Sequence, residues 1–286
     1  SQHRVLREVI VPATEGLTVI LGKTVTDEAY RMPDGAVGRF NGFAVISDGV
    51  LIREGKKTLL ANEGVLEDSR YFLLGAPEEI TPVSVTIPGK GVIKLGVLVC
   101  QDIWDDHAPV RPAQILAARG AEALVVLNSS PFHIKKDQLR KETAIRRARE
   151  TGLPLYYVNT SGIQDIGKNI VIFDGASFAI TGDNNLNAAT PFKDELLRVP
   201  YRDGWTMDQL PDFWTDHSVM KLLERSLIYA IRQFFERVGV FKGAVIGLSG
   251  GIDSAVDALL VSRAIGSDKL VCVNMPSRFN SEKTRD

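Results

Sequence analysis

Cysteine is scarce in this chain: 2 residues among 286, Cys100 and Cys272. A pair so far apart in sequence builds no disulfide framework, which points to a reducing, cytoplasmic setting. Neither sign of charge is in excess. The 34 Lys and Arg nearly cancel the 35 Asp and Glu, leaving −1, so no field favours nucleic acid or an anionic membrane. No apolar run approaches the roughly 18–20 residues that a membrane-spanning helix needs, and no secretory signal pattern opens the chain. The 4 histidines (His3, His107, His133, His217) have no ligand spacing with each other or with the cysteines, which argues against zinc. Internal repeats and low-complexity tracts are missing too. The remainder is an ordinary globular composition, 44% hydrophobic and 24% charged, long enough for about two domains with a sizeable core. The chain starts without Met and stops at Ser281-Glu282-Lys283-Thr284-Arg285-Asp286, which reads as a helix opening. We expect a fragment, or a protein with further segments.

Strand-like and helical runs alternate. Residues 17–21 and 40–46 are short and β-rich, the second ending in the turn Ser47-Asp48-Gly49. Residues 92–99 are apolar on both alternating sets, the pattern of a strand covered on both faces. Helices are predicted over 111–120 and 135–152, each stopped by glycine, with strands at 123–127, 153–158 and 170–173. This is an α/β layered pattern. A turn cluster at 182–187 and an irregular stretch at 190–214, with Pro191, Pro200 and Pro211, then read as a connector. A helix over about 217–238 leads to a strand at 243–246.

That strand runs into Gly247-Leu248-Ser249-Gly250-Gly251-Ile252-Asp253-Ser254, and a helix follows at 255–261. A glycine-rich strand-to-helix loop offers backbone N–H groups and a positive helix end to an anion. Adjacent glycines allow phosphate oxygens to come close, and Ser249 and Ser254 can add hydrogen bonds. A Walker loop would need Lys followed by Ser or Thr; here Asp253 offers a carboxylate suited to Mg²⁺ instead. The bland alternative is a tight turn rich in small residues. The Ser-Gly-Gly-x-Asp-Ser pattern resembles the ATP-pyrophosphatase loop, which holds pyrophosphate while AMP is transferred.

The second chemistry-bearing stretch is Gly96-Val97-Leu98-Val99-Cys100-Gln101-Asp102-Ile103-Trp104, which puts a cysteine at the end of a buried strand. Reactive groups gather at carboxyl ends of strands in layered α/β folds, although most buried cysteines are inert small hydrophobes. A nucleophilic thiol needs a base or a nearby cation. His107 is a conceivable partner, but no Gly-x-Cys-x-Gly elbow surrounds Cys100.

Three segments in order resemble the nitrilase superfamily, in particular the glutaminase domain of glutamine-dependent NAD⁺ synthetases, which uses a Glu-Lys-Cys triad. The family's lysine motif is matched by Lys57-Thr58-Leu59-Leu60-Ala61-Asn62-Glu63-Gly64-Val65-Leu66-Glu67-Asp68-Ser69-Arg70-Tyr71-Phe72. The resemblance makes Cys100 the nucleophile and Lys57 the oxyanion stabiliser. Leu127-Asn128-Ser129-Ser130-Pro131-Phe132, with Lys136 and Arg140 downstream, matches the family's Ser-Pro-aromatic turn and basic residue. It implies that Ser130 and Lys136 bind glutamine, Lys136 at the α-carboxylate. Asn159, Gln164-Asp165 and Phe173-Asp174-Gly175 are similar more weakly. Met275-Pro276-Ser277-Arg278-Phe279-Asn280-Ser281, after a strand at 270–274, resembles the segment beside the nucleotide, and places Arg278 on a phosphate.

There are departures. Glu63 stands where the family has a pocket tyrosine, and Gln101 follows the cysteine where Glu is usual. The Pro-Glu-Leu context of the general base is not found before Lys57; Glu8, Glu15 and Glu28 do not fit it. We therefore expect a nitrilase-like αββα sandwich, incomplete at its start, over 1–190. A connector at 191–215 and the beginning of a Rossmann-like ATP-pyrophosphatase α/β domain over 216–286 follow. The implied activity is ATP-dependent amidation of deamido-NAD⁺ through an adenylate, with ammonia from glutamine and with ATP and Mg²⁺ as cofactors. ATP would be held by Gly247, Ser249, Gly250, Gly251, Asp253, Ser254 and Arg278, and Mg²⁺ by Asp253. No nucleic acid or membrane partner is expected, and a homo-oligomer is. Two alternatives stay open: a nitrilase-type amidohydrolase joined to another adenylating domain, and a truncated non-catalytic nucleotide-binding protein.

Overall fold

A computed structural model describes residues 2–87, 89, 91–167, 169–181, 187–199 and 219–275. After a short helix, α1 (Gln2–Val5), and two irregular turns, three strands form an antiparallel meander. They are β1 (Thr18–Arg31), β2 (Val37–Ser47) and β3 (Val50–Lys56). Asp48 and Gly49 join the last two with φ of 50° and 71°, the pair of left-handed residues that a two-residue hairpin turn requires. The β-rich runs foreseen at 17–21 and 40–46 are thus parts of longer strands. β3 was not foreseen, because Arg53, Glu54 and Lys56 hide its pattern.

A single turn, α2 (Asp68–Tyr71), precedes the second sheet. Its strands are β4 (Val83–Ile87), β5 (Gly91–Val99), β6 (Ala123–Asn128), β7 (Leu155–Asn159), β10 (Phe178–Ile180) and β11 (Asn187–Ala188), in spatial order 11-10-7-6-5-4. β5, β6 and β7 are parallel neighbours, flanked by antiparallel β4 and β10. The strands β8 (Ser161–Asp165) and β9 (Ile170–Asp174) form a separate hairpin.

Alternation along β5 decides the layering. Val97 and Val99 point into a core shared with Phe43 and Val45 of the meander, and Leu98 points into a second core with Leu116, Leu124 and Val126. That second core is covered by helices α3 (Pro112–Ala118) and α4 (Lys136–Thr151). Gly96 permits the closeness of α3: a Cβ there would lie 2.8 Å from Leu124 Cδ2 and 3.1 Å from Leu116 Cβ. Each buried aliphatic side chain contributes about 1.5–3 kcal/mol by leaving water. Among the described residues the layers therefore run sheet, sheet, helix, the order of the later layers of an αββα sandwich.

The later part is a βαβ unit. β12 (Ala244–Leu248) and β13 (Leu270–Asn274) are parallel, joined through α6 (Ile252–Ile265), and α5 (Val219–Val238) lies against α6. The expected helix start at His217 and most of the connector, 200–215, lie outside the described residues. No helix among the described residues is long and apolar enough to cross a membrane.

Candidate active site

Cys100 follows the last residue of β5 and opens a 3₁₀ turn, Cys100–Ile103. Its φ of 48° is left-handed, a conformation that costs a non-glycine residue about 1–3 kcal/mol and survives only where the surroundings enforce it. Asp102 provides that enforcement. Its Oδ2 accepts from the Val99 backbone N–H at 3.0 Å, bending the chain back on the strand end. Its Oδ1 accepts from Thr58 N, Thr58 Oγ1 and Leu59 N, each at 2.9 Å. One buried carboxylate thus fixes the turn that carries Cys100 to the segment that carries Lys57. Burial pushes the Asp102 carboxyl up, and these four hydrogen bonds oppose the shift.

Lys57 is 1% exposed. Its backbone is held at the end of β3 by Asn41 O, which accepts from Lys57 N at 2.8 Å, while Gly75 N donates to Lys57 O at 2.9 Å. The ammonium pairs with the Asp68 carboxylate. Asp68 closes the intervening loop as well: its Oδ2 accepts from Ala61 N at 3.0 Å, and its own N–H donates to Ala61 O at 2.9 Å. A buried ammonium without such a partner would be expelled or neutralised.

Lys57, Asp68 and Cys100 all line one cavity of about 740 Å³, open between the meander and the carboxyl ends of β5, β6 and β7. Burial pushes the Cys100 thiol up, the charges of Asp68 and Asp102 add to this, and those of Lys57 and Lys136 oppose it. At neutral pH the group is a thiol that needs help to become a nucleophile. His107 is exposed beyond the turn.

Ser130 is buried, its N–H donating to Asn159 Oδ1 at 2.9 Å. Arg140 reaches Ser130 O at 2.7 Å and Ser130 Oγ at 3.3 Å, and it grips both oxygens of Asp174 at 2.8 Å. Arg140 and Asp174 are 1% and 2% exposed, so this pair, in which Nη1 alone donates to both carboxylate oxygens, sits in the protein interior. Lys136, at the start of α4, is half-buried with its ammonium 4.5 Å from the Trp104 ring centre. Burial and the Arg140 charge hold its pKa below the usual lysine range, while Cys100 and Glu63 pull it up. Taken alone it reads as a surface charge; here its charge acts on the Cys100 thiol, although Lys136 is not among the residues that line the cavity. Sequence reasoning missed Asp68 and Asp102, although both lie inside the quoted motifs.

The glycine loop connects β12 to α6. Gly250 has φ of 76°, a conformation that glycine adopts without penalty. Ser254 Oγ receives Ser249 N at 3.2 Å and donates to Gly251 O at 3.0 Å, while Ser249 Oγ accepts from Gly251 N at 3.3 Å. No side chain caps α6, so its N-terminal N–H groups face the loop mouth, with exposed Asp253 in the first turn. Such an end attracts an anion. Among the described residues no cluster of three metal-ligating side chains exists. Arg278 lies outside the described residues.

Comparisons with known proteins cover both regions of the chain. The NAD synthase family model matches residues 224–286. A glutamine-dependent NAD(+) synthetase of Rhodobacter capsulatus is 34% identical over 253 residues, covering 87% of this chain and 43% of the relative. The solved glutamine-dependent NAD+ synthetase of Acinetobacter baumannii, in complex with ADP, superposes with a TM-score of 0.76 at 30% identity, over 96% of this chain and 48% of that one. A carbon-nitrogen hydrolase of Helicobacter pylori shares the fold of part of the chain, with a TM-score of 0.52 at 20% identity over 66% of this chain and 64% of its own. The chain spans about half the length of the synthetases it matches.

Proposed function

We infer, for a chain akin to the glutamine-dependent NAD⁺ synthetases along most of its length, that the whole protein amidates deamido-NAD⁺. It uses ATP and takes ammonia from glutamine. The observation that carries this reading is the convergence of Cys100 and Lys57 on one cavity in the same chain as an uncapped, glycine-lined helix end. The glutaminase region is residues 1–190, 191–215 connect, and 216–286 begin the synthetase region.

In this mechanism the Cys100 sulfur attacks the glutamine side-chain carbonyl. Charge moves to the carbonyl oxygen, and the Lys57 ammonium, already desolvated and held by Asp68, stabilises it without having to reorganise. The thiol proton ends on the amide nitrogen, ammonia leaves, and the glutamyl group remains as a thioester, which water cleaves to glutamate and the free thiol. Ser130 and Lys136 orient the substrate, Lys136 through the α-carboxylate. The thiol proton needs a carboxylate acceptor. Asp68 and Asp102, whose charges act on the thiol, are both committed to other donors. The chain alone is therefore a poor glutaminase, since general-base assistance is worth about 10²–10⁴-fold.

At the other site Gly247, Ser249, Gly250, Gly251 and Ser254 cradle the pyrophosphate of ATP, with Arg278 as a further phosphate contact. The single carboxylate Asp253 suits Mg²⁺, which is commonly held by one or two carboxylates plus phosphates and water. When bound, that ion neutralises charge on the phosphates. Ammonia then displaces AMP from the adenylated nicotinate carboxylate.

The test is amidation by the whole protein with glutamine or ammonium as donor. Cys100→Ala should abolish the glutamine-dependent rate and keep the ammonium-dependent one. Retention of glutamine-dependent synthesis would overturn the nucleophile assignment.

A further inference from the structure

We propose that Arg140 is a positioning residue for glutamine hydrolysis, acting through the Ser130-Pro131 turn; this rests on the functional reading above. The turn leaves the carboxyl end of β6, where Asn128 and Ser129 line the cysteine cavity. Among the described residues, no hydrogen bond between backbone groups holds Ser130 or Pro131. Side chains hold them instead. Ser130 N donates to Asn159 Oδ1 at 2.9 Å, and Arg140 supplies the rest. Its Nη2 donates to Ser130 O at 2.7 Å and to Pro131 O at 3.3 Å, and its Nε donates to Ser130 Oγ at 3.3 Å. With Oγ as the acceptor, the hydroxyl proton is turned away from the guanidinium.

The guanidinium is itself fixed on its opposite side. Nη1 donates to both oxygens of Asp174 at 2.8 Å, at the end of β9 beside the cavity residue Phe173. Asn159, also on the cavity wall, closes the circuit: its Nδ2 donates to Gly175 O at 2.9 Å and to Asp174 Oδ1 at 3.4 Å. One arginine thus joins the ends of β6 and β9 to α4, and Asn159 adds the end of β7. A buried ion pair adds little stability over apolar side chains of the same volume, so what the fork contributes is geometry. Lys136 stands one turn earlier on the same face of α4, so the arginine also fixes the seat of the residue assigned to the α-carboxylate. A turn displaced by about 1 Å would leave Cys100 and Lys57 in place and the substrate misaligned against them, an error that is costly in catalysis.

The experiment uses the whole protein and follows amidation with glutamine or ammonium as donor. Arg140→Lys keeps a cation for Asp174 and loses the planar fork that reaches Ser130 and Pro131. It should raise the KM for glutamine about tenfold or more, the effect of losing one hydrogen bond from a charged donor. The kcat with glutamine and the ammonium-dependent rate should stay near those of the wild type, the signature of lost substrate binding. Asp174→Asn is nearly isosteric, frees the guanidinium from the other side and should act alike. Ser130→Ala has already lost the Oγ contact, so in that background Arg140→Lys should raise KM by a smaller factor. A merely structural arginine would lower the melting temperature and the kcat without moving KM. An unchanged KM in Arg140→Lys, a loss of kcat alone, or full additivity with Ser130→Ala overturns the positioning role and leaves the functional reading standing. If the wild-type protein forms no product from glutamine, that reading fails and the positioning role falls with it.

Discussion

Replacing Asp102 by Asn tests the claim that one carboxylate builds the cysteine site. The substitution keeps shape and removes charge. The amide oxygen can keep the three donors now on Oδ1, namely Thr58 N, Thr58 Oγ1 and Leu59 N. The amide NH₂ then faces the Val99 N–H, now 3.0 Å from Oδ2, so a donor meets a donor. One buried N–H without a partner costs about 1–3 kcal/mol. The three remaining bonds lose charge assistance, about 1 kcal/mol each. Against this stands relief from burying a carboxylate, whose pKa burial already raises. The net expectation is a loss of about 2–3 kcal/mol, between the cost of one orphaned donor and that of a broken buried ion pair. At about 2–4 °C per kcal/mol for folding units of 150–250 residues, the melting point should fall by about 4–12 °C. Thr58→Val removes one of the four donors and should cost about 1 kcal/mol. The double variant should lose less than the sum, because both substitutions act on the same bond, one weakening it and the other removing it. The assay is urea unfolding followed by circular dichroism. A loss below about 0.5 kcal/mol for Asp102→Asn, the level of an ordinary surface substitution, would refute the reasoning.

Two further outcomes follow from the site's electrostatics. Because burial raises the Cys100 pKa, its alkylation rate should keep rising with pH beyond the range where an ordinary thiol levels off. Lys57→Met removes a charge that lowers this pKa, so its profile should shift further upward; a shift downward would contradict the placement of the ammonium. Arg140→Met strands the buried Asp174 and should cost about 3–5 kcal/mol, read by urea unfolding. In that variant Asp174 loses the cation that opposes its burial-raised pKa. A folded pKa above the unfolded one favours the fold below the unfolded pKa, and this advantage is lost as pH rises through the folded value. The deficit should therefore be smallest in acid, and a deficit that grows in acid would refute the assignment.

Much of this was legible from sequence, and the gaps have physical causes. The doubly apolar run at 92–99 announced a strand covered on both faces, and β5 is that strand. Glycine stops framed α3 and α4 to within a few residues. Short strands escaped notice: β10 has three residues, too few for period two to register, and β8 carries glycine, glutamine and aspartate. At the site, Cys100 and Lys57 were found by motif, since their meeting depends on contacts 40 or more residues apart that no local pattern reports. Asp102 sat two residues from the cysteine in plain view. Its role became visible only through the four donors it gathers, three of them from another segment.

Helix α4 has a consequence of its own. Its inward stripe is Arg140, Thr143, Ala144, Arg147 and Ala148. Arg147 has no solvent exposure, is paired to Asp105 and donates to Ile103 O at 3.0 Å. Where most helices present grease to their core, this one presents guanidinium groups and small residues. Before it docks, such a segment is soluble and offers little to a wrong apolar partner. After docking, each cation demands its own acceptor in its own place. A helix slipped by one turn would leave buried charges stranded, so α4 has one acceptable seat, and that seat holds the Lys136 ammonium over the Trp104 ring.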